Sequence, residues 1–158
     1  MEITDDEKYM RLALQEAEKA LRRNEIPIGC VIVQGYQIIG RGYNLTQTLQ
    51  DVTAHAEMQA ITAAAGMLGG KYLTEATLYV TVEPCVMCAG AIGWSQIGRV
   101  VYGAPDEKRG FQRFAPHALH PKCKVTPGVL EDECRQLMPT FFKQLRSTRF
   151  IHQFWISS

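Results

Sequence analysis

The 158-residue sequence has almost no net charge, no long apolar run and no internal repeat, and each absence narrows what the chain can be. Seventeen Lys+Arg stand against sixteen Asp+Glu, so the global balance carries no nucleic-acid signal. No segment approaches the roughly 18 consecutive apolar residues of a membrane-spanning helix. The start, Met1-Glu2-Ile3-Thr4-Asp5-Asp6, is acidic and lacks the apolar core and cleavage site of an export signal. These features predict a cytoplasmic protein with no membrane partner. Low-complexity segments and linkers are missing, and 46% hydrophobic composition is ordinary for a soluble protein, so residues 1–158 read as a single domain. Cysteine is present but odd in number, five in all, which argues against a disulfide framework and for reduced thiols available to a metal.

What charge there is has a direction. Residues 1–104 carry 8 Lys+Arg against 11 Asp+Glu, and residues 105–158 carry 9 against 5. Positive character therefore collects in the C-terminal third, a pattern that a solvated face also produces.

Thr4-Asp5-Asp6-Glu7 has the form of a capping box ahead of Tyr9, Met10, Ala13, Leu14, Ala17, Ala20 and Leu21. Their three- and four-residue spacing predicts a helix that ends near Asn24. Ile28–Val33 and Tyr36–Gly42 read as two strands joined at Gln34-Gly35. A polar loop from Leu45 to Thr53 leads to a helix over His55–Leu68, which Gly69-Gly70 ends. Thr77–Val82 predicts a strand, Pro84 opens a helix carrying Cys85 and Cys88, and Arg99–Gly103 predicts a further strand. Lys124-Val125-Thr126 is a candidate short strand, and Val129–Arg146 a helix that Pro139 should kink or split. Strands alternating with helices imply an α/β fold with a mixed sheet covered on both faces.

Two short segments carry the chemistry. Cys85 and Cys88, three residues apart, can hold one Zn²⁺ from a single helical turn, and His55 offers a third donor. A structural zinc is normally closed by four protein ligands, whereas three protein ligands leave a position for water, the arrangement of a catalytic site. Glu57 is a poor fourth ligand and a good proton carrier beside that position. By chance, His-x-Glu would arise in roughly one such chain in four and Pro-Cys-x-x-Cys in about one in a hundred, so the pair is more specific than either alone. His-x-Glu followed by Pro-Cys-x-x-Cys is the signature of zinc-dependent nucleobase deaminases.

Beyond these motifs the chain resembles the cytidine deaminase-like superfamily, and within it the tRNA adenosine deaminases that convert wobble adenosine to inosine. The resemblance runs through Asn24–Gly29, Gly42-Tyr43-Asn44, Thr53–Glu57, Thr77–Gly90 and Gly98–Ala104. It implies a three-layer α/β/α fold with about five strands, one Zn²⁺ per chain on His55, Cys85 and Cys88, and Glu57 as proton shuttle. It also implies that Asn44 hydrogen-bonds the base, Ile28 lines the base pocket and Asp106 flanks the flipped nucleotide. Phe141, Phe142, Lys143 and Arg146 fall on the last helix, which touches the anticodon loop; adjacent helical residues diverge, so at most one Phe should meet RNA, and Phe142 is the candidate. A tRNA anticodon stem-loop as substrate and a homodimeric assembly follow from the same resemblance.

Two departures bear on substrate. Ile92-Gly93-Trp94-Ser95-Gln96 stands where tRNA deaminases commonly read Met-Ile-His-Ser-Arg, and Trp94 is closer to guanine deaminase relatives. The segment Arg109–Pro121 also differs from the usual Gly-Ser run. A guanine or guanosine deaminase is therefore the alternative. A rival of another class would join Cys85 and Cys88 to His120 and Cys123 as a four-ligand structural zinc in a nucleic-acid-binding module; it leaves His55 and Glu57 unexplained.

Overall fold

A computed structural model describes residues 4–147; the first three residues and the tail from 148 onward, including Ile151–Ile156, lie outside it. Helix α1 (Asp5–Arg22) begins where the capping box predicts, with Thr4 Oγ1 accepting the Glu7 N–H at 3.2 Å. It ends with Asn24 in the left-handed region at φ 58°. Then follow β1 (Gly29–Gln34), β2 (Gln37–Tyr43), α2 (Ala56–Leu68), β3 (Ala76–Val82), α3 (Val86–Trp94), β4 (Arg99–Ala104), α4 (Phe111–Phe114), β5 (Lys124–Thr126) and α5 (Glu131–Arg146).

The five strands form one mixed sheet in the order β2-β1-β3-β4-β5. β1 runs antiparallel to both β2 and β3, while β3, β4 and β5 are parallel. Strand residues alternate between two apolar layers. Cys30, Ile32, Leu78, Val80, Val100 and Tyr102 pack beneath α2 and α3. Val31, Val33, Tyr79 and Val101 face α1 and Cys134 of α5. Both faces of these strands are covered, which is why their sequences are nearly continuous runs of apolar residues. Ile32 and Ile92 are fully buried on the α2/α3 side, and cutting either back to Ala would cost about 2–5 kcal/mol.

Two glycines set the height of α2 above the sheet. A Cβ at Gly42 would collide with the Ala56 carbonyl, and one at Gly40 with the Ala60 carbonyl. Their absence lets the first turn of α2 lie directly on β2.

Two expectations change. Pro139 neither splits α5 nor ends it, since the helix runs unbroken from Glu131 to Arg146. Pro139 and Arg135 are both on the exposed side, so the Arg135 carbonyl that loses its helical donor can meet water. Phe111–Phe114 forms one helical turn inside what reads in sequence as a plain loop.

Candidate active site

His55 and Cys85 occupy equivalent places, each the residue that caps the start of a helix, α2 and α3 respectively. Neither side chain makes a capping hydrogen bond, so both are free for another partner. Cys88 lies one turn into α3 and is fully buried. His55 Nδ1 stands 3.6 Å from Cys85 Sγ and 3.5 Å from Cys88 Sγ. Tetrahedral ligands at about 2.3 Å (sulfur) and about 2.05 Å (nitrogen) from Zn²⁺ lie about 3.6 Å apart, so the donors are already spaced for the ion. Among the described residues, His55, Cys85 and Cys88 form the group of three donors able to share a metal.

The electrostatics favour a divalent cation. The Cys85 thiol is pushed down to about 4, first by its hydrogen bond with Cys88 and then by the His55 ring, against the cost of burial. Cys88 is raised, by the hydrogen bond to Cys85 and by burial. One proton thus leaves easily and the other is held, and a metal is what displaces it. The N-termini of α2 and α3, capped by His55 and Cys85, add partial positive charge.

Glu57, in the first turn of α2, is 4% exposed. Burial lifts its carboxyl to about 7, opposed by a hydrogen bond with its own backbone N–H and by the nearby His55 charge, while the Cys85 charge adds to the rise. A group poised there can accept and release a proton near neutrality.

Asn44 follows β2 directly. Its N–H donates to the Ile28 carbonyl at 3.1 Å, and the Leu45 N–H donates to the Ala54 carbonyl at 2.9 Å, which sets Asn44 beside the loop that delivers His55. The side chain is buried, and Oδ1 has no hydrogen-bond partner among the described residues. A buried amide oxygen without a partner costs stability unless something else supplies a donor. Ile28 is half-buried against the α2/α3 core.

Asp106 sits in the loop after β4, with Oδ1 accepting the Lys108 and Arg109 N–H groups at 3.0 Å each. Its carboxylate therefore shapes the turn. Phe141 is buried, packed edge-on to Phe142, while Lys143 and Arg146 are exposed. Gln144 donates to the Leu21 carbonyl and to Asn24 Oδ1, bringing the end of α5 to the end of α1, from which the chain passes through Ile28 into β1.

His120 and Cys123 are not drawn into the cluster. His120 Nδ1 accepts the Lys122 N–H, and Cys123 Sγ points to the Lys124 carbonyl. The four-ligand structural zinc is set aside by this geometry.

Two buried acids escape sequence reasoning. Glu25, fully buried, accepts the Gln47 and Thr48 N–H groups at 3.1 and 2.7 Å and so ties down the loop leading to His55. Glu83, 7% exposed, accepts the Asp106 and Gln112 N–H groups at 3.1 and 3.0 Å. The available signal was a carboxylate bordering an apolar segment, Ile26–Val33 after Glu25 and Thr77–Val82 before Glu83.

A three-layer fold carrying an open His-Cys-Cys donor set beside a buried Glu defines the class of zinc-binding deaminases. The family model for the cytidine and deoxycytidylate deaminase zinc-binding region matches residues 3–104. A tRNA-specific adenosine deaminase of Streptococcus pyogenes serotype M1 is 45% identical over 148 residues, 90% of this chain and 86% of the relative. One from Bacillus subtilis (strain 168) is 44% identical over 152 residues, 93% and 94% of the two chains. A solved structure from biochemical and structural studies of A-to-I editing by tRNA:A34 deaminases superimposes with a TM-score of 0.77 at 43% identity, covering 82% of this chain and 98% of that one. The chain belongs to the tRNA-specific adenosine deaminase family of the zinc-binding cytidine and deoxycytidylate deaminases.

Proposed function

We propose that the protein converts the wobble adenosine of a tRNA anticodon loop to inosine, as a single deaminase domain working in a cytoplasmic homodimer. The observation that carries the substrate is the 44–45% identity, across about nine-tenths of the chain, to proteins named for that activity. An unpaired loop base also costs little to flip into a buried site.

Bound to His55, Cys85 and Cys88, Zn²⁺ supplies the Lewis acidity that makes water a nucleophile near neutral pH. Glu57 takes one proton from the attacking water and delivers it to the purine ring nitrogen beside C6, then takes the second from the hydroxyl now on C6 and passes it to the exocyclic amine, which leaves as ammonia as the C6 carbonyl forms. Its burial keeps the carboxylate away from bulk solvent, so the proton it takes is the one it returns. Asn44 Oδ1 accepts a hydrogen bond from the base, the partner it otherwise lacks. Ile28 forms an apolar wall against the purine, and Asp106 shapes the loop that flanks the flipped nucleotide. Phe142 offers a stacking face, and Lys143 and Arg146 contact phosphates of the anticodon loop.

The second reading, a guanine or guanosine deaminase, rests on Trp94. That side chain is 85% exposed and stands at the far end of α3 from Cys85, so within one chain it faces solvent. Ammonia release and inosine formation, compared across anticodon stem-loop RNA, guanine, guanosine, adenosine and cytidine, separate the two. Turnover of the RNA supports the tRNA reading, and turnover of guanine with inert RNA overturns it.

A further inference from the structure

The loop between β4 and α4 is fastened to the metal-ligand segment more firmly than a surface loop needs to be. Both Glu83 oxygens take part, Oε1 accepting from the loop's start at Asp106 and Oε2 from its end at Gln112. The Phe111 N–H donates to the Pro84 carbonyl at 2.9 Å, and Gly110 pairs with Cys85 in an antiparallel bridge. A Cβ at position 110 would strike the Glu83 carboxylate, so glycine is what permits the approach. Within this clamp the Asp106 carboxylate fixes the Arg109 N–H.

Arg109 is thereby held one residue from the Gly110–Cys85 bridge, with its side chain exposed. Its guanidinium makes no hydrogen bond or ion pair among the described residues, although its backbone sits beside the segment that bears Cys85. A solvated surface arginine would need no such anchoring. A fixed backbone and an unpaired planar cation at the rim of a buried site suit an oxyanion that stays outside when a base goes in. A nucleotide within an RNA strand has such a group, and a free base has none.

We propose that Arg109 is a specificity-determining residue that binds a phosphate of the strand bearing the target base, and that Glu83 is a positioning residue that holds the loop presenting it. The proposal rests on the RNA reading of the substrate. Arg109 selects a base joined to a phosphodiester backbone and lowers the Michaelis constant for RNA without moving protons.

The test measures binding of anticodon stem-loop RNA to the zinc-loaded Glu57→Gln protein by fluorescence anisotropy across a salt series. Adding Arg109→Ala should weaken binding about tenfold and reduce the log-affinity versus log-salt slope by about 0.7 to 1, the signature of one lost phosphate contact. Arg109→Lys should keep that slope and restore only part of the affinity, because a point charge replaces a fork. Zinc content and melting temperature should match the parent in both. Unchanged affinity and slope in Arg109→Ala, with RNA bound normally by the parent, would overturn the role of Arg109 alone. A parent that fails to bind RNA, paired with wild-type protein that makes no inosine in it, would overturn the substrate reading and this proposal with it.

Discussion

At one end of the sheet Asp6 meets Arg99 in a two-pronged ion pair at 2.8 and 2.7 Å, Tyr79 Oη donates to Asp6 at 2.8 Å, and Arg99 also reaches Thr126. At the other end Asn44 Oδ1 is buried without a partner, and three metal donors converge within 4.8 Å. The charged groups of the first end are saturated. Their pairings explain the shifts there: the Arg99 hydrogen bonds hold the Asp6 carboxyl below its usual range, and burial first, then Asp6, push the Tyr79 phenol up. A cleft of about 330 Å³ opens beside the pair, but its central charges already neutralise each other. Tyr9 Oη, buried there without a hydrogen-bond partner, is the exception. The contrast teaches that the charged groups at the first end find partners within the chain, whereas the Asn44 amide oxygen and the metal donors are held in place and left wanting one.

The sharpest way to break this contrast is to remove a donor. Cys85→Ala and Cys88→Ala should each lose both zinc and turnover, since two remaining ligands cannot hold the ion tightly. Elemental analysis beside an inosine assay checks it, and full activity without any metal would refute the site.

Asn44→Ala separates function from stability. Deamination should fall by about tenfold or more, while unfolding free energy stays level or rises by up to about 1 kcal/mol, because an unsatisfied buried acceptor is gone. Denaturant titration and steady-state rates measure the two. A large loss of stability would mean that Asn44 is a structural residue.

Replacing Lys143 and Arg146 together by Ala should raise the Michaelis constant for RNA and lower the magnitude of its salt slope by roughly 1 to 2, with zinc unchanged. Indifference of RNA turnover to both changes would remove the end of α5 from the substrate surface.

The smallest effect belongs to the saturated end. The folded-state pKa of Asp6 is depressed, so its contribution is present above the unfolded value near 3.8 and disappears as pH falls through the lower folded value. Asp6→Asn should therefore cost about 1 kcal/mol or less at pH 7, a gap that closes in acid. Thermal melts of both proteins from pH 7 to pH 2 show whether it does.

Much of this was legible in the sequence where the causes are local. The Thr4 cap, the period of α1, the Gly35 turn at φ 65° and the αL stop of α2 at Gly69 are short-range and were read with little error. The donor set was legible because metal chemistry demands particular residues at particular spacings. The one-turn helix at Phe111 was not, since four residues show no periodicity. That Pro139 leaves α5 unsplit was not legible, because the side of the helix that faces solvent is a tertiary fact. Glu25 and Glu83 act across 22 to 29 residues, through bonds that no window of sequence displays.

The most direct test of the account is to load Glu57→Gln with zinc, then determine metal content and inosine formation in the same sample. The substitution keeps the shape of the side chain and removes its ability to carry protons, so one Zn²⁺ per chain should remain while the rate falls by at least about 10². Loss of zinc along with activity would make Glu57 a ligand, and near-normal turnover would take it out of the proton path; either result would contradict the site described.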